Sequence, residues 1–135
     1  MSKIAVVYWS STGNTEMMAQ AVAKGAGAEL FTAVSFAADK AAEFVAIAFG
    51  CPAMGSEALE DTEFAPMFDS VKGALAGKKI ALFGSYDWGD GEWMRTWEEN
   101  CRNDGLTLAA DPVICNNTPD DDGLARCEAL GKALA

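Results

Sequence analysis

Ile4-Ala5-Val6-Val7-Tyr8-Trp9-Ser10-Ser11-Thr12-Gly13-Asn14-Thr15 joins two different kinds of sequence through one glycine-bearing turn. Residues 4–8 are a nearly unbroken apolar run, the pattern of a strand covered on both faces. From Asn14 the pattern changes: Met18, Ala21, Val22 and Gly25 recur at three- and four-residue spacing, which predicts a helix ending in Gly25 and Gly27. A buried strand that passes through a polar turn straight into a helix is the first half of a βα unit.

The same alternation recurs along the chain. Leu30 to Val34 reads as a second strand and Ala38 to Glu43 as a short helix. Phe44 to Phe49 is a third strand, stopped by Gly50 and Pro52. Phe68, Val71 and Leu75 mark one face of a helix that tolerates Pro66 in its first turn. Ile80-Ala81-Leu82-Phe83 is a fourth strand closed by Gly84. A helix from about Glu92 to Asp104 carries Trp93, Trp97 and Cys101 on one face. Leu106-Thr107-Leu108 and Val113-Ile114-Cys115 form a fifth strand interrupted around Asp111-Pro112. The last helix takes Thr118 as N-cap and Pro119 as first residue, with Asp120, Asp121 and Asp122 favoured in its first turn by the helix dipole. Leu124, Cys127, Leu130 and Leu134 form its buried stripe. Five strands with helices between them predict an α/β fold, a parallel sheet with helices on both faces, in a single domain spanning 1–135.

Composition bounds the function. The 135 residues hold 20 Asp+Glu against 10 Lys+Arg, a formal net charge of −10, and no histidine. Histidine-dependent nucleophilic catalysis and imidazole-ligated metals are thereby excluded, and nucleic acid and anionic membranes are disfavoured as partners. The acidic balance points to basic macromolecules or to solubility. Half the residues are apolar, and no run is long enough for a bilayer span. With no signal-peptide pattern at the N-terminus, the expectation is a soluble, cytoplasmic protein. Cys51, Cys101, Cys115 and Cys127 match no metal-ligand spacing and lie among apolar residues, so they are expected to be buried, reduced thiols and no metal site is predicted.

Open parallel sheets bind ligands beyond the carboxyl ends of their strands, which directs attention to three loops. After strand one, Ser10-Ser11-Thr12-Gly13-Asn14-Thr15 lacks the lysine of a Walker loop. Its hydroxyl and amide groups at a helix N-terminus suit a phosphate that is held and never transferred; the alternative is an ordinary capping turn. After strand three, Cys51-Pro52-Ala53-Met54-Gly55-Ser56-Glu57 offers a polarisable Met54 surface, a conformationally free Gly55 and a Glu57 carboxylate able to accept from a ring N–H. Alone, this stretch is equally a solvated turn. After strand four, Ser85-Tyr86-Asp87-Trp88-Gly89 exposes an indole between acidic residues and glycines, either as a stacking platform or folded back over the sheet end. Trp9 is ambiguous.

Together the three loops closely resemble the short-chain flavodoxins of anaerobic bacteria. The family's T/S-x-T-G-N-T pattern stands here as Ser10 to Thr15, while Met54-Gly55 with Glu57, and Ser85-Tyr86 with Trp88-Gly89, match its two flavin-flanking loops. The resemblance implies a flavodoxin-like doubly wound five-stranded sheet of order 2-1-3-4-5 and non-covalently bound FMN. It implies phosphate contacts from Ser10, Thr12, Asn14 and Thr15, Met54 and Trp88 on the two faces of the ring, and Glu57 on N3. The Gly55 carbonyl would turn towards a protonated N5, and Asn117 in the loop after strand five would approach the ring. Asp87 departs from the family's usual glycine.

A low-potential one-electron carrier follows, shuttling between semiquinone and hydroquinone with no catalytic residues of its own. The expected partners are basic reductases and oxidases that could also use ferredoxin, met by a monomer. The alternative is an FMN-dependent NAD(P)H or quinone reductase on the same fold, for which the chain has little spare loop length. A response-regulator receiver lacks its acidic pair and phosphoacceptor here, and a low-molecular-weight phosphatase lacks its Cys-x5-Arg.

Overall fold

The computed structural model describes residues 3–11, 13–54 and 58–135. Strand β1 (Ile4–Tyr8) leads to helix α1 (Asn14–Ala26), β2 (Glu29–Thr32), α2 (Ala38–Ala41), β3 (Ala46–Gly50), α3 (Phe64–Val71), β4 (Lys79–Tyr86), α4 (Glu92–Asn103), β5 (Thr107–Leu108), β6 (Val113–Asn116) and α5 (Asp121–Leu134). All pairings within the sheet are parallel, in the order β2-β1-β3-β4-β5, with β6 also on β4. Thr107 and Leu108 pair with the start of β4, and Val113 to Asn116 with its end. The predicted fifth strand is thus two segments in one edge position. It parts at residues 109–112, where Pro112 has no N–H to give the ladder.

Residues of opposite parity build the two cores. Ile4, Val6, Ala46, Ala48, Ala81 and Phe83 face one side, with Met18 and Val22 of α1 and Cys127, Leu130 and Leu134 of α5. Ala5, Val7, Ile47, Phe49, Ile80 and Leu82 face the other, with Phe64, Phe68 and Val71 of α3 and Trp93, Trp97 and Cys101 of α4. That is the period-two alternation of a strand buried on both sides. Helices α1 and α5 lie unusually close. A Cβ on Gly25 would stand 2.0 Å from the Glu128 carbonyl oxygen, and one on Gly131 would stand 2.1 Å from that of Val22.

Several boundaries differ from the sequence expectation for local reasons. Strand β2 stops at Thr32, because hydroxyl contacts between Thr32 and Ser35, and from Ser35 to the Thr32 carbonyl at 2.9 Å, draw residues 33–35 into a 3-10 turn. Helix α2 ends at Ala41, and Phe44 completes the following turn by donating to the Ala41 carbonyl, so β3 begins at Ala46. Helix α1 runs through Gly25 and is capped by Gly27 at φ 67°. Gly84 lies inside β4, which continues to Tyr86: the bare glycine admits the Cys51 carbonyl, 2.1 Å from where a Cβ would be. Asp120, not Thr118, caps α5, accepting from the Gly123 N–H at 2.7 Å, so the helix starts at Asp121. Leu124 is only half-buried, and Gly123, Cys127, Leu130, Gly131 and Leu134 form the inward face.

Candidate functional site

The carboxyl ends of β1, β3, β4 and β6 converge on one cavity of about 160 Å³, lined by Ser11, Asn14, Pro52, Ala53, Met54, Ser85, Tyr86, Asp87 and Asn117. Every one of these residues belongs to a loop or strand end singled out from the sequence. No Lys or Arg is among them.

The first wall is the turn into α1. Gly13 sits at φ 94°, a left-handed conformation that a residue with Cβ adopts only at a cost. The Ser10 hydroxyl oxygen accepts from the Gly13 N–H at 3.1 Å and the Glu16 N–H at 3.3 Å. These bonds satisfy two backbone N–H groups at the start of α1 within the chain, the contact of a capping turn. Thr15 is buried, and its hydroxyl lies 2.8 Å from that of Ser85. Thr12 falls outside the described residues.

The second wall follows β3. Cys51 and Ala53 prolong the ladder through their N–H groups, which donate to the carbonyls of Phe83 at 3.1 Å and Ser85 at 3.0 Å. Met54 and Ala58 close an antiparallel bridge. Between them, Gly55, Ser56 and Glu57 lie outside the described residues.

The base of this loop is fixed by Trp93 and by Glu60, a residue the sequence reading missed. The Glu60 N–H donates to the Cys51 sulfur at 3.3 Å, and Trp93 Nε1 donates to the Cys51 carbonyl at 3.2 Å. The Glu60 carboxylate is buried at the start of α3. It accepts from the N–H groups of Thr62, Glu63 and Phe64 at 2.8, 2.7 and 2.8 Å, and from the Thr62 hydroxyl. Burial pushes its pKa up, but these donors outweigh burial and hold the carboxyl at about 2. The signal for it was the acidic run 60–63 just before an apolar helical stripe. Burial likewise pushes the Cys51 thiol up to about 12.

The third wall is the end of β4 with the loop after β6. The Asn117 N–H donates to the Tyr86 carbonyl at 2.7 Å, with Asn117 itself at φ 56°, a conformation asparagine tolerates. Trp88 stands outside the cavity, 60% exposed. Ser10, Gly13, Thr15 and Gly89 do not line the cavity either. Trp93 and Trp97 are core residues, and Trp9 Nε1 donates to Glu63 at 2.7 Å. Among the described residues, no cluster of His, Cys, Asp or Glu is arranged to hold a metal, and no helix is long and apolar enough to cross a membrane.

A doubly wound parallel sheet whose loops gather hydroxyl, amide and backbone donors at its carboxyl rim belongs to the nucleotide-binding class of α/β folds. The family model described as "Flavodoxin" matches residues 6–131. The chain is 42% identical to a flavodoxin of Clostridium beijerinckii, covering 96% of this chain and 97% of that protein, and 44% identical to one of Megasphaera elsdenii, covering 98% of each. The solution structure of two-electron reduced Megasphaera elsdenii flavodoxin superposes with a TM-score of 0.89 at 40% identity, over 97% of each chain. The chain belongs to the flavodoxin family, small FMN-binding proteins that transfer electrons to and from redox partner proteins without turning over a substrate of their own.

Proposed function

We propose that residues 1–135 form a single domain that holds FMN non-covalently at the carboxyl rim of the sheet and carries one electron at a time between basic partner proteins in the cytoplasm. The observation that supports this most is the convergence of loops after β1, β3, β4 and β6 on one cation-free cavity. When bound, FMN supplies the one-electron chemistry, here between its semiquinone and hydroquinone forms at low potential.

The residues fit that group. N–H groups of the Ser10 to Thr15 turn, with the hydroxyls of Ser10, Ser11, Thr12 and Thr15 and the Asn14 amide, bind a phosphate dianion at the positive end of α1. Using neutral donors alone keeps positive charge away from the ring, which disfavours a further negative charge on it. The stretches Pro52 to Glu57 and Ser85 to Gly89 flank the ring, with Met54 on its inner face, Trp88 closing over the outer one and Asn117 at the edge. Both exclude water, and burial of a ring that becomes anionic outweighs what distant carboxylates do. One charge ~12 Å away in a water-like dielectric is worth only about 0.3 kcal/mol. Gly55 is the residue type that lets a peptide turn its carbonyl to a ring N–H without a Cβ penalty of about 1–2 kcal/mol.

The test is equilibrium binding of FMN and of riboflavin to the apoprotein, followed by flavin fluorescence. The phosphate turn requires FMN to bind at least ~100-fold more tightly, equivalent to about 2.7 kcal/mol, and Asn14→Ala to erode that difference. Equal affinity for the two flavins would overturn the assignment.

A further inference from the structure

Cys115 and Cys127 take no part in the flavin site, yet the fold buries both in one core cluster between β6 and α5. Register with β4 pairs Cys115 with Ser85, and alternation along β6 turns the Cys115 side chain, like Val113, towards α5. On α5, Gly123 and Cys127 are one turn apart and so share a face. The Cys115 sulfur occupies the notch left by Gly123, where a Cβ would stand 2.8 Å from it. Helical side chains lean towards the N-terminus, so Cys127, one turn further along, is directed back over Gly123 and is buried in the same core cluster as Cys115.

The neighbouring Cys127 thiol holds the Cys115 pKa below that of an ordinary thiol against the opposing effect of burial, with the Arg126 guanidinium assisting and Asp120 and Asp122 opposing. Cys127 is pushed up by its Cys115 neighbour and by burial. Cys115 also lines a cavity of about 280 Å³ with Asn116, Thr118, Asp120 and Arg126, all solvent-exposed, a route of entry for a small oxidant. The other two cysteines differ. Burial pushes Cys51 and Cys101 up to about 12 and 11, and Cys51 is held by the Glu60 N–H.

We propose that Cys115 and Cys127 are a peroxide-oxidisable dithiol, in which Cys115 reacts first and Cys127 resolves it into a disulfide joining β6 to α5. The Cys115 thiolate attacks one oxygen of hydrogen peroxide, the O–O bond breaks, and hydroxide leaves with the electron pair, giving a sulfenic acid. The Cys127 sulfur then attacks Cys115, the S–O bond breaks and water leaves. In sum, two thiols and one peroxide become one disulfide and two waters, with sulfur oxidised and oxygen reduced. The bridge closes the loop that carries Asn117 past the candidate flavin cavity and spares Cys115 from irreversible over-oxidation.

The experiment uses the full chain with its flavin, treated with a small molar excess of hydrogen peroxide, then unfolded in an alkylating reagent and weighed intact. Two of the four thiols should escape alkylation, dithiothreitol should restore all four, and peptide mapping should find the 115–127 link. In Cys127→Ser, dimedone should label Cys115 in place of the bridge. Four alkylatable thiols after treatment, a bridge through Cys51 or Cys101, or sulfinic acid at Cys115 of the unaltered protein without a bridge would each overturn the proposal. The unaltered protein decides between these outcomes even where the serine variant folds poorly.

Discussion

The Thr15 hydroxyl on the first turn of α1 and the Ser85 hydroxyl near the end of β4 are 2.8 Å apart, and both side chains are buried. This contact ties the proposed phosphate turn to β4, an interior strand of the sheet, across a sequence separation of 70. The turn is therefore positioned by the core as well as by its own capping geometry.

Thr15→Val keeps the shape and leaves the Ser85 hydroxyl without its partner in a buried place. The expected cost is about 1–3 kcal/mol in urea unfolding. Pairing it with Ser85→Ala should cost less than the two single changes added together, since the second change removes the orphaned group. Strict additivity would mean that the hydroxyls do not interact.

Glu60 gives the fold a pH dependence of known sign. Its carboxyl titrates at about 2 in the folded chain against 4.5 ordinarily, so the carboxylate contributes stability above pH 4.5. That contribution is lost progressively as pH falls from 4.5 towards 2. Glu60→Gln should unfold at lower urea concentration at pH 7, by about 1–3 kcal/mol, and should lose less stability than the unaltered protein between pH 4.5 and 2. Parallel stability curves for the two proteins would exclude Glu60 as the source.

Gly25 and Gly131 let α1 and α5 approach until each faces the other's backbone. Gly131→Ala forces the helices apart or strains them, and the expected loss is at least about 1–3 kcal/mol. Because neither glycine touches the cavity, FMN affinity measured well below the unfolding transition should change less than twofold. A large affinity loss without a stability loss would contradict this division of roles.

What was legible in the sequence follows from which forces are local. Runs such as Ile4 to Val7 and Ile80 to Phe83 are buried on both faces, and that demand is written in the residues themselves. Of the cavity residues, Ser11 and Asn14 were legible as polar donors at a helix start, whereas Pro52, Ala53 and Met54 alone read equally as a solvated turn and Asn117 came only from the family resemblance. Gly84 was misleading: it reads as a stop, yet its bare Cα serves a close approach by the Cys51 carbonyl from another strand, which no local pattern encodes. Thr118-Pro119 satisfies the rules for a helix start, yet Asp120 supplies the cap. Glu60 reads as one more surface acid because its burial depends on α3 closing over the end of β3.

The acidic surface has a kinetic consequence. Asp87 and Asp90 lie exposed beside Trp88, and Asp90 is already paired with Arg95 at 3.0 Å. Asp87 has no ion-pair partner among the described residues and stands at the cavity rim, where long-range attraction to a basic partner acts on the encounter rate. The Debye length shrinks from about 30 Å at 0.01 M salt to about 10 Å at 0.1 M. Stopped-flow electron transfer from a basic reductase should accordingly slow at least ~10-fold over that range, and Asp87→Asn should make the dependence shallower without altering thermal stability by more than ~0.5 kcal/mol. A rate indifferent to salt would leave the net charge of −10 with solubility as its role, and would move the docking face away from Asp87.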